Sequence, residues 1–434
     1  MRSLLVVVIV FIGLGIHLSA QTNSTIDYSR KSSTWLDIYR NQESYIPTAD
    51  DPLKTIHCQL IIWQKDDGTG TWNQNDPEHI KRLNSMIDLI NLFWSNAQGP
   101  SDSVPGVVPL GFSNIQFEFG LKFYRNSQFY DNGSGLCFNF DSLNKAAIRL
   151  EPDNAHYLNI HLVSCACKAG GCTNILGSYQ FSDQTIILNS NHAADTDDWD
   201  DARNIAHELG HALGLRHLYN AGGPEPCNSS GVDFLDDAMF PVGVNGCESK
   251  TQCTHCYNTA GGCNPYASKN DLCDNNLMGG GSDYKYLSPK QIGRCHRVLA
   301  ITNMSKYTTG YSKNPWIVAN NQVWDFEIKF YQDITIESGC TLEVKGIVHM
   351  VDNARIVVKP GAKLIINGGL ITNGGSAFEG SNDVWKEIQV WGGKVKLEGQ
   401  KKRTYQMGKV EILQGGRIEK CCFGIKSYKE RLAN

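Results

Sequence analysis

His207-Glu208-Leu209-Gly210-His211-Ala212-Leu213-Gly214-Leu215-Arg216-His217 is the stretch on which the reading of this 434-residue chain turns. Its fixed positions follow H-E-x-x-H-x-x-G-x-x-H. On a helix, His207 and His211 stand one turn apart and project from the same side. Ile205, Leu209, Ala212 and Leu213 fall on the opposite side. One face is expected to pack while the other binds. Gly214 answers a local need, because a helix that stops abruptly ends on a left-handed residue, which costs glycine almost nothing. The chain then doubles back and delivers His217. Three neutral imidazoles and a water make the open tetrahedral site of a catalytic zinc. Zinc lowers the pKa of its water towards ~7. Glu208, beside the first ligand, is placed to take the water proton as general base and pass it on. The other histidines, His57, His161 and His296 among them, are read as ordinary surface or core residues.

Working outward, an acidic run at 197–201 opens the motif helix. Ile56, Leu60, Ile61, Ile62 and Trp63 form a strand that Asp66-Asp67-Gly68 turns. Asp76-Pro77 supplies an N-cap and first residue for a helix lined by Ile80, Leu83, Ile87, Ile90 and Trp94. Strands are expected at 115–124, 158–163, 177–181 and 184–188. Strand, helix, several strands and helix is an α/β pattern. From 214 to 281 the chain is rich in Gly, Pro, Asn and Cys and reads as loops. Ser288-Pro289-Lys290-Gln291 is a capping box with proline at the first helical position, so a last helix begins there.

Beyond about Thr309 the character changes. Residues 334–346, ITIESGCTLEVKG, match 356–368, IVVKPGAKLIING, at an offset of 22 throughout, and 388–393 and 410–415 form a weaker pair at the same offset. Short β-branched strands broken by glycine at such a period describe the coils of a β-solenoid. It is expected to follow a linker around 313–315 and to supply no motif residue, so the preceding domain is expected to stand without it.

Composition sets the frame. A hydrophobic share of 41% is ordinary for globular domains, and the formal net charge of -4 points to no partner class. Nothing in the chain has the basic and aromatic pattern of a nucleic-acid module. Arg2, an apolar run from Leu4 to Leu14 and Leu18-Ser19-Ala20 before Gln21 read as a signal peptide over 1–20. The run is shorter than the ~20 apolar residues of a spanning helix, so the mature chain is expected to be exported with no membrane span. Residues 21–52 read as a leader or short pro-segment. The 15 cysteines, seven of them between 227 and 295, read as disulfides of an exported chain, with at least one thiol left over by the odd count. Cys253-Thr254-His255-Cys256 has no second matching pair and is assigned to disulfides rather than to a structural zinc.

The zinc motif resembles that of the metzincin metallopeptidases, and within that clan the chain is most similar to the pappalysin family, in its cytophagalysin-like bacterial branch. The clan's Met-turn, an apolar floor under the metal, is matched by Asn276-Leu277-Met278-Gly279. Further similarity lies in the strand of Ile56 and Trp63, in Leu158-Asn159-Ile160-His161-Leu162-Val163 followed by Gly177-Ser178-Tyr179 as an upper rim strand, in Asp233-Phe234-Leu235-Asp236-Asp237, and in the closing helix from Leu287 with Arg294. Some relatives bind calcium near the acidic segment, which makes Asp233 and Asp237 the corresponding candidates. Two departures stand out. Gly280 occupies the place of a tyrosine two residues after the methionine that can steady the oxyanion, with Tyr284 and Tyr286 further on. Cys295 lies inside the closing helix rather than before it, so the family's disulfide scheme does not carry over.

The resemblance implies an α/β (α+β) metzincin-type catalytic domain over 53–309, with a mixed sheet and an active-site helix. An all-β solenoid is expected over 318–434. The implied activity is that of a secreted, extracellular zinc endopeptidase with Glu208 as catalytic base, His207, His211 and His217 as ligands, and Met278 as floor. Its partners are protein or peptide substrates, with the solenoid free to bind a surface or polymer. Two rivals remain: an adhesion protein whose solenoid is the working part, and another metzincin branch such as the matrixins. The long Cys-rich insertion between His217 and Met278 speaks against the second.

Overall fold

The computed structural model describes residues 42–95, 108–131, 140–163, 177–180, 185–189, 198–216, 235, 276–278, 286–374, 376–378, 384–396, 398–399 and 401–429. The signal peptide, most of the leader, His217, Asp233, Asp237, Tyr284 and six of the seven cysteines between 227 and 295 lie outside these residues.

Strand β1 (Lys54–Gln64) is the centre of the first region. It pairs in parallel with β2 (Ile115–Arg125) on one side and β3 (Leu158–Val163) on the other. β5 (Thr185–Asn189) continues the parallel sheet beyond β3, and β4 (Gly177–Gln180) closes it antiparallel at the edge. The short β6 (Thr308–Thr309) pairs antiparallel with Thr55 and Ile56. This is the mixed sheet expected. The rim assignment shifts, however: β3 is an interior strand buried along its length, and of the two only β4 lies at an edge, β2 forming the other.

Alternation along β1 divides two cores. Ile56, Cys58, Leu60 and Ile62 face α1 (Pro77–Ser95) and the motif helix, whereas Ile61 and Trp63 face α2 (Ser127–Asp131) and α3 (Phe140–Leu150). Covered on both faces, the strand reads as a continuous apolar run. Asp76 caps α1 as expected, with Glu78 N–H donating to its Oδ1 at 3.0 Å. The α1 core face uses Leu83, Met86, Ile90, Phe93 and Trp94, with Met86 fully buried and Ile87 only half-buried.

The motif helix α4 (Asp198–Ala212) lies on the α1 side. Its first turn is tied to α1 by an Arg82–Asp198 ion pair at 2.7 Å and an edge-on contact of Phe93 with Trp199. The closing helix α5 (Pro289–Ile301) has both halves of the expected capping box, with Ser288 accepting from Gln291 N–H and Gln291 accepting from Ser288 N–H. A 3₁₀ turn at Gln42–Tyr45 packs on α5, where a Cβ on Gly293 would lie within 2.4 Å of the Gln42 carbonyl. Glu43 pairs with Lys290 and Tyr45 lies under Arg297. The described end of the leader, from 42 to 52, is therefore built into this domain.

The C-terminal region winds through three parallel sheets in rotation. The first holds β7 (Ser312–Val318), β10 (Gln332–Ile336), β13 (Arg355–Val358), β16 (Glu387–Val395) and β20 (Ile425–Lys429). The second holds β8 (Gln322–Trp324), β11 (Thr341–Val344), β14 (Lys363–Asn367) and β18 (Lys409–Leu413). The third holds β9 (Ile328–Phe330), β12 (Ile347–Met350), β15 (Leu370–Asn373) and β19 (Arg417–Ile418). The 22-residue match is one full circuit, since Ile334 stacks on Ile356 and Leu342 on Leu364. The weaker pair is not: Ile388 sits on Ile356, whereas Val410 sits on Leu364 in another sheet. A hairpin of β16 with β17 (Thr404–Met407) interrupts the period there. The stretch at 313–315, read as linker, is already strand β7.

The two regions share a buried junction. The Tyr331 hydroxyl donates to Leu299 O on α5 at 2.8 Å, and Lys54 Nζ lies 4.8 Å over the Tyr331 ring. His57 on β1 stacks on Phe378 with centroids 3.9 Å apart. No helix among the described residues is long and apolar enough to cross a membrane.

Candidate metal centre

Helix α4 buries Ala202, Ile205, Ala206, Leu209 and Ala212 and turns its other side outward. His207 and His211 stand on that side with ring centroids 4.8 Å apart and planes at 90°. Ligand atoms of His207, Glu208 and His211 all lie within 4.8 Å of one another. The helix ends in a Schellman motif. Leu215 N–H donates to Gly210 O at 2.9 Å, Gly214 N–H to His211 O at 3.0 Å, and Gly214 has φ +81°. The expected role of Gly214 is thus met, and the turn does more than stop the helix. It aims the Leu215 carbonyl at His211 Nδ1, 2.9 Å away. The Leu277 carbonyl of the Met-turn lies 2.8 Å from His207 Nδ1.

Both contacts are to carbonyls, which only accept. Each imidazole must therefore carry a proton on Nδ1, which in the neutral ring leaves the Nε2 lone pair for a ligand. Burial holds the His211 pKa below its ordinary value, against the opposing Leu215 hydrogen bond, so its ring stays neutral. Glu208 is 7% exposed, and its Oε2 has no hydrogen-bond partner among the described residues. Burial pushes its carboxyl up to about 8. A buried carboxylate oxygen without a partner among the described residues, beside two imidazoles whose ligand atoms lie within 4.8 Å of it, fits a dication, whose charge would offset that burial.

Met278 is fully buried beneath the helix. A Cβ on Gly210 would lie 2.4 Å from its Sδ, so a side chain between Leu209 and His211 would have to displace the methionine from its place against the helix. Gly210 was legible as a small residue but not as a constraint, because its neighbour comes from 68 residues further along. Sequence reading also missed the buried pair Asn276 and Gln291 behind the Met-turn. Tyr286 pairs its backbone with Asn276 and Leu277 and is 1% exposed. His161 accepts from Trp63 Nε1 at 3.1 Å and His296 lies between Lys54 and Ser113 O, so both are core residues. Cys295 is fully buried in α5.

A helix presenting two oriented imidazoles with a buried carboxylate between them is half of a hydrolytic metal site. Residues 141–300 match the model of a peptidase family, Peptidase_M43, described as pregnancy-associated plasma protein-A. That stretch runs from α3 to α5 and takes in β3, β4, β5, α4 and the turn at Met278, and the match supports a metallopeptidase reading of it. No match was found among curated proteins.

Proposed function

We propose that the chain is a secreted zinc endopeptidase in which His207, His211 and His217 hold the metal and Glu208 is the general base. The observation that carries this reading is the α4 side chain set: two imidazoles fixed by carbonyls to present Nε2, with the Glu208 carboxylate buried beside them. Zinc held there supplies the Lewis acid that polarises the scissile carbonyl and acidifies the attacking water. Glu208 Oε2 takes the water proton and delivers it to the leaving amine nitrogen. Met278 and Gly210 keep the helix seated while this happens. The edge strand β4 beside α4 is the rail on which an extended peptide adds as a further strand. The C-terminal coils form a β-solenoid that binds a surface or polymer and keeps the enzyme near its substrates. Calcium at Asp233 and Asp237 is a secondary assignment carried by the resemblance alone.

The purified chain is expected to bind about one zinc and to lose proteolysis to a chelator. Glu208→Ala should retain zinc and lose about 10²–10⁴-fold in turnover. Activity in a preparation free of zinc, or a Glu208→Ala variant within tenfold of wild type, would overturn the assignment. Stoichiometric zinc without cleavage of any protein would favour the adhesion reading.

A further inference from the structure

The zinc ligand His207 is oriented by a carbonyl that belongs to neither the motif nor its helix. Leu277 O receives its Nδ1–H at 2.8 Å. What fixes Leu277 is a chain of buried hydrogen bonds leading to α5. Asn276 Oδ1 accepts from Met278 N–H at 2.9 Å, which folds the turn tightly around Leu277. Asn276 Nδ2 donates to Gln291 Oε1 at 2.7 Å, and Gln291 Nε2 donates back to Asn276 Oδ1 at 3.1 Å. Gln291 Oε1 also accepts from Ser288 N–H at 2.9 Å. Asn276, Ser288 and Gln291 are all 0% exposed. Leu277 N–H is held in turn by Tyr286 O at 2.9 Å.

A glutamine in a capping box needs one acceptor atom for the helix N-terminus. Here the same amide makes a reciprocal pair with a second amide, a fork-to-fork arrangement that fixes both planes. A cap alone has no use for that. We infer that Gln291 is a positioning residue for the metal: through Asn276 it sets the Met-turn backbone, and through Leu277 O the tautomer and tilt of His207. The inference rests on the reading of His207 as a zinc ligand. Partners behind a ligating histidine typically matter about 10–100-fold in metal affinity. Because α5 is also bonded to Tyr331 of the C-terminal region, the helix that carries Gln291 links the metal ligand to the coils.

The test compares three full-length variants by zinc affinity, measured in competition with a chromogenic chelator, and by the visible spectrum of the cobalt-substituted protein. Gln291→Met keeps the side-chain volume and removes both amide contacts, so zinc should bind about 10–100-fold more weakly, with shifted cobalt bands. Gln291→Glu keeps the cap and the acceptor for Asn276 but sets an oxygen against Asn276 Oδ1. It should shift in the same direction by less, and it stands as the test if the methionine variant does not fold. Ser288→Ala breaks the other half of the capping box and leaves the amide pair, so its melting temperature should fall while zinc affinity and spectrum stay those of wild type. Wild-type affinity and spectrum in both Gln291 variants would overturn the proposal, as would an equal loss in Ser288→Ala. Failure of the wild-type chain to bind zinc would instead sink the peptidase reading itself.

Discussion

The peptidase sheet and the C-terminal coils are both built mainly of parallel strands, yet they bury themselves in opposite ways. Ten of the eleven residues of β1 are buried because helices cover both faces of its sheet. In β11, β12 and β13 burial alternates residue by residue, because only one face looks inward. Polar side chains in the first region must find individual partners, as Trp63 does for His161 and Asn144 for Asn159. In the coils they pair with the coil above or below, as Lys359 does with Glu337 and Arg355 with Asp333. Repetition makes each coil replaceable by the next. The candidate metal site stands where nothing repeats, at the meeting of a helix end, a turn and a cap drawn from distant parts of the chain.

The sharpest way to break this comparison is to remove one region. Sequence reading expects a chain ending after Thr309 to remain an active protease. The buried junction argues otherwise, since truncation strips Tyr331 from Leu299 and Lys54, and Phe378 from His57. Each large apolar side chain uncovered forfeits about 1.5–3 kcal/mol. The truncated protein is expected to melt far below the full chain or not to fold. A truncated form with full-length melting temperature and peptide turnover would show that the regions are independent.

A matched pair of core truncations comes next. Ile356→Ala in the coils and Leu209→Ala behind the two imidazoles of α4 each remove a fully buried side chain and should cost about 2–5 kcal/mol. Only the second should disturb chemistry. A displacement of about 1 Å at reacting groups can cost ~10²-fold, so kcat/KM for a short peptide should fall at least tenfold in Leu209→Ala and stay within twofold in Ile356→Ala. Equal losses of activity would erase the proposed division of labour.

Gly210→Ala probes the floor. Its Cβ would press on Met278 Sδ, and overpacking of this kind costs about 1–3 kcal/mol. Thermal melts should show that loss, and because Met278→Ala empties the contested space, the loss in Gly210→Ala,Met278→Ala should be smaller than the sum of the two single losses.

The smallest effect is a pH slope at the junction. Burial lowers the Lys54 pKa from 10.5 to about 7 despite the opposing Asp51, and burial and then Lys54 lower that of His296 well below 6.5. Between about 7 and 10.5 the unfolded chain binds a proton at Lys54 that the folded chain does not, so stability rises with pH there. His296 acts in the same sense below its ordinary value, where only the unfolded chain takes up its proton. Melting temperature should therefore climb by a few degrees from pH 7 to pH 9, and Lys54→Met should flatten that climb. An unchanged slope in the variant would assign the pH dependence to other groups.

Much of the site was legible because its logic is local. His207, Glu208, His211 and Gly214 lie within one helix and its turn, where spacing alone decides which side chains share a face. The capping box at Ser288 and Gln291 and the N-cap at Asp76 are equally local, as is the 22-residue match of two adjacent coils. The misreadings came where a partner is distant. The rim is expected at 158–163 followed by 177–179, yet of these only β4 lies at an edge, because strand order cannot be read from strand content and β5 inserts between β3 and β4. The pair 388–393 and 410–415 matched in letters yet lies in two different sheets, because a hairpin shifts the chain by part of a circuit.

The sequence by itself determined the helix that carries the imidazoles, its glycine stop, its cap-bearing partner helix and the repeating coils, since each is specified by contacts within a few residues or one period. Tertiary structure alone decided that Gly210 lies against Met278, that Leu277 fixes the tautomer of His207, that Gln291 meets Asn276, and that the coils close over Lys54 and His296. The physical reason is the same in every case. Hydrogen bonds and close packing act over about 3–4 Å, and the atoms brought that close come from segments whose separation along the chain carries no trace of their meeting.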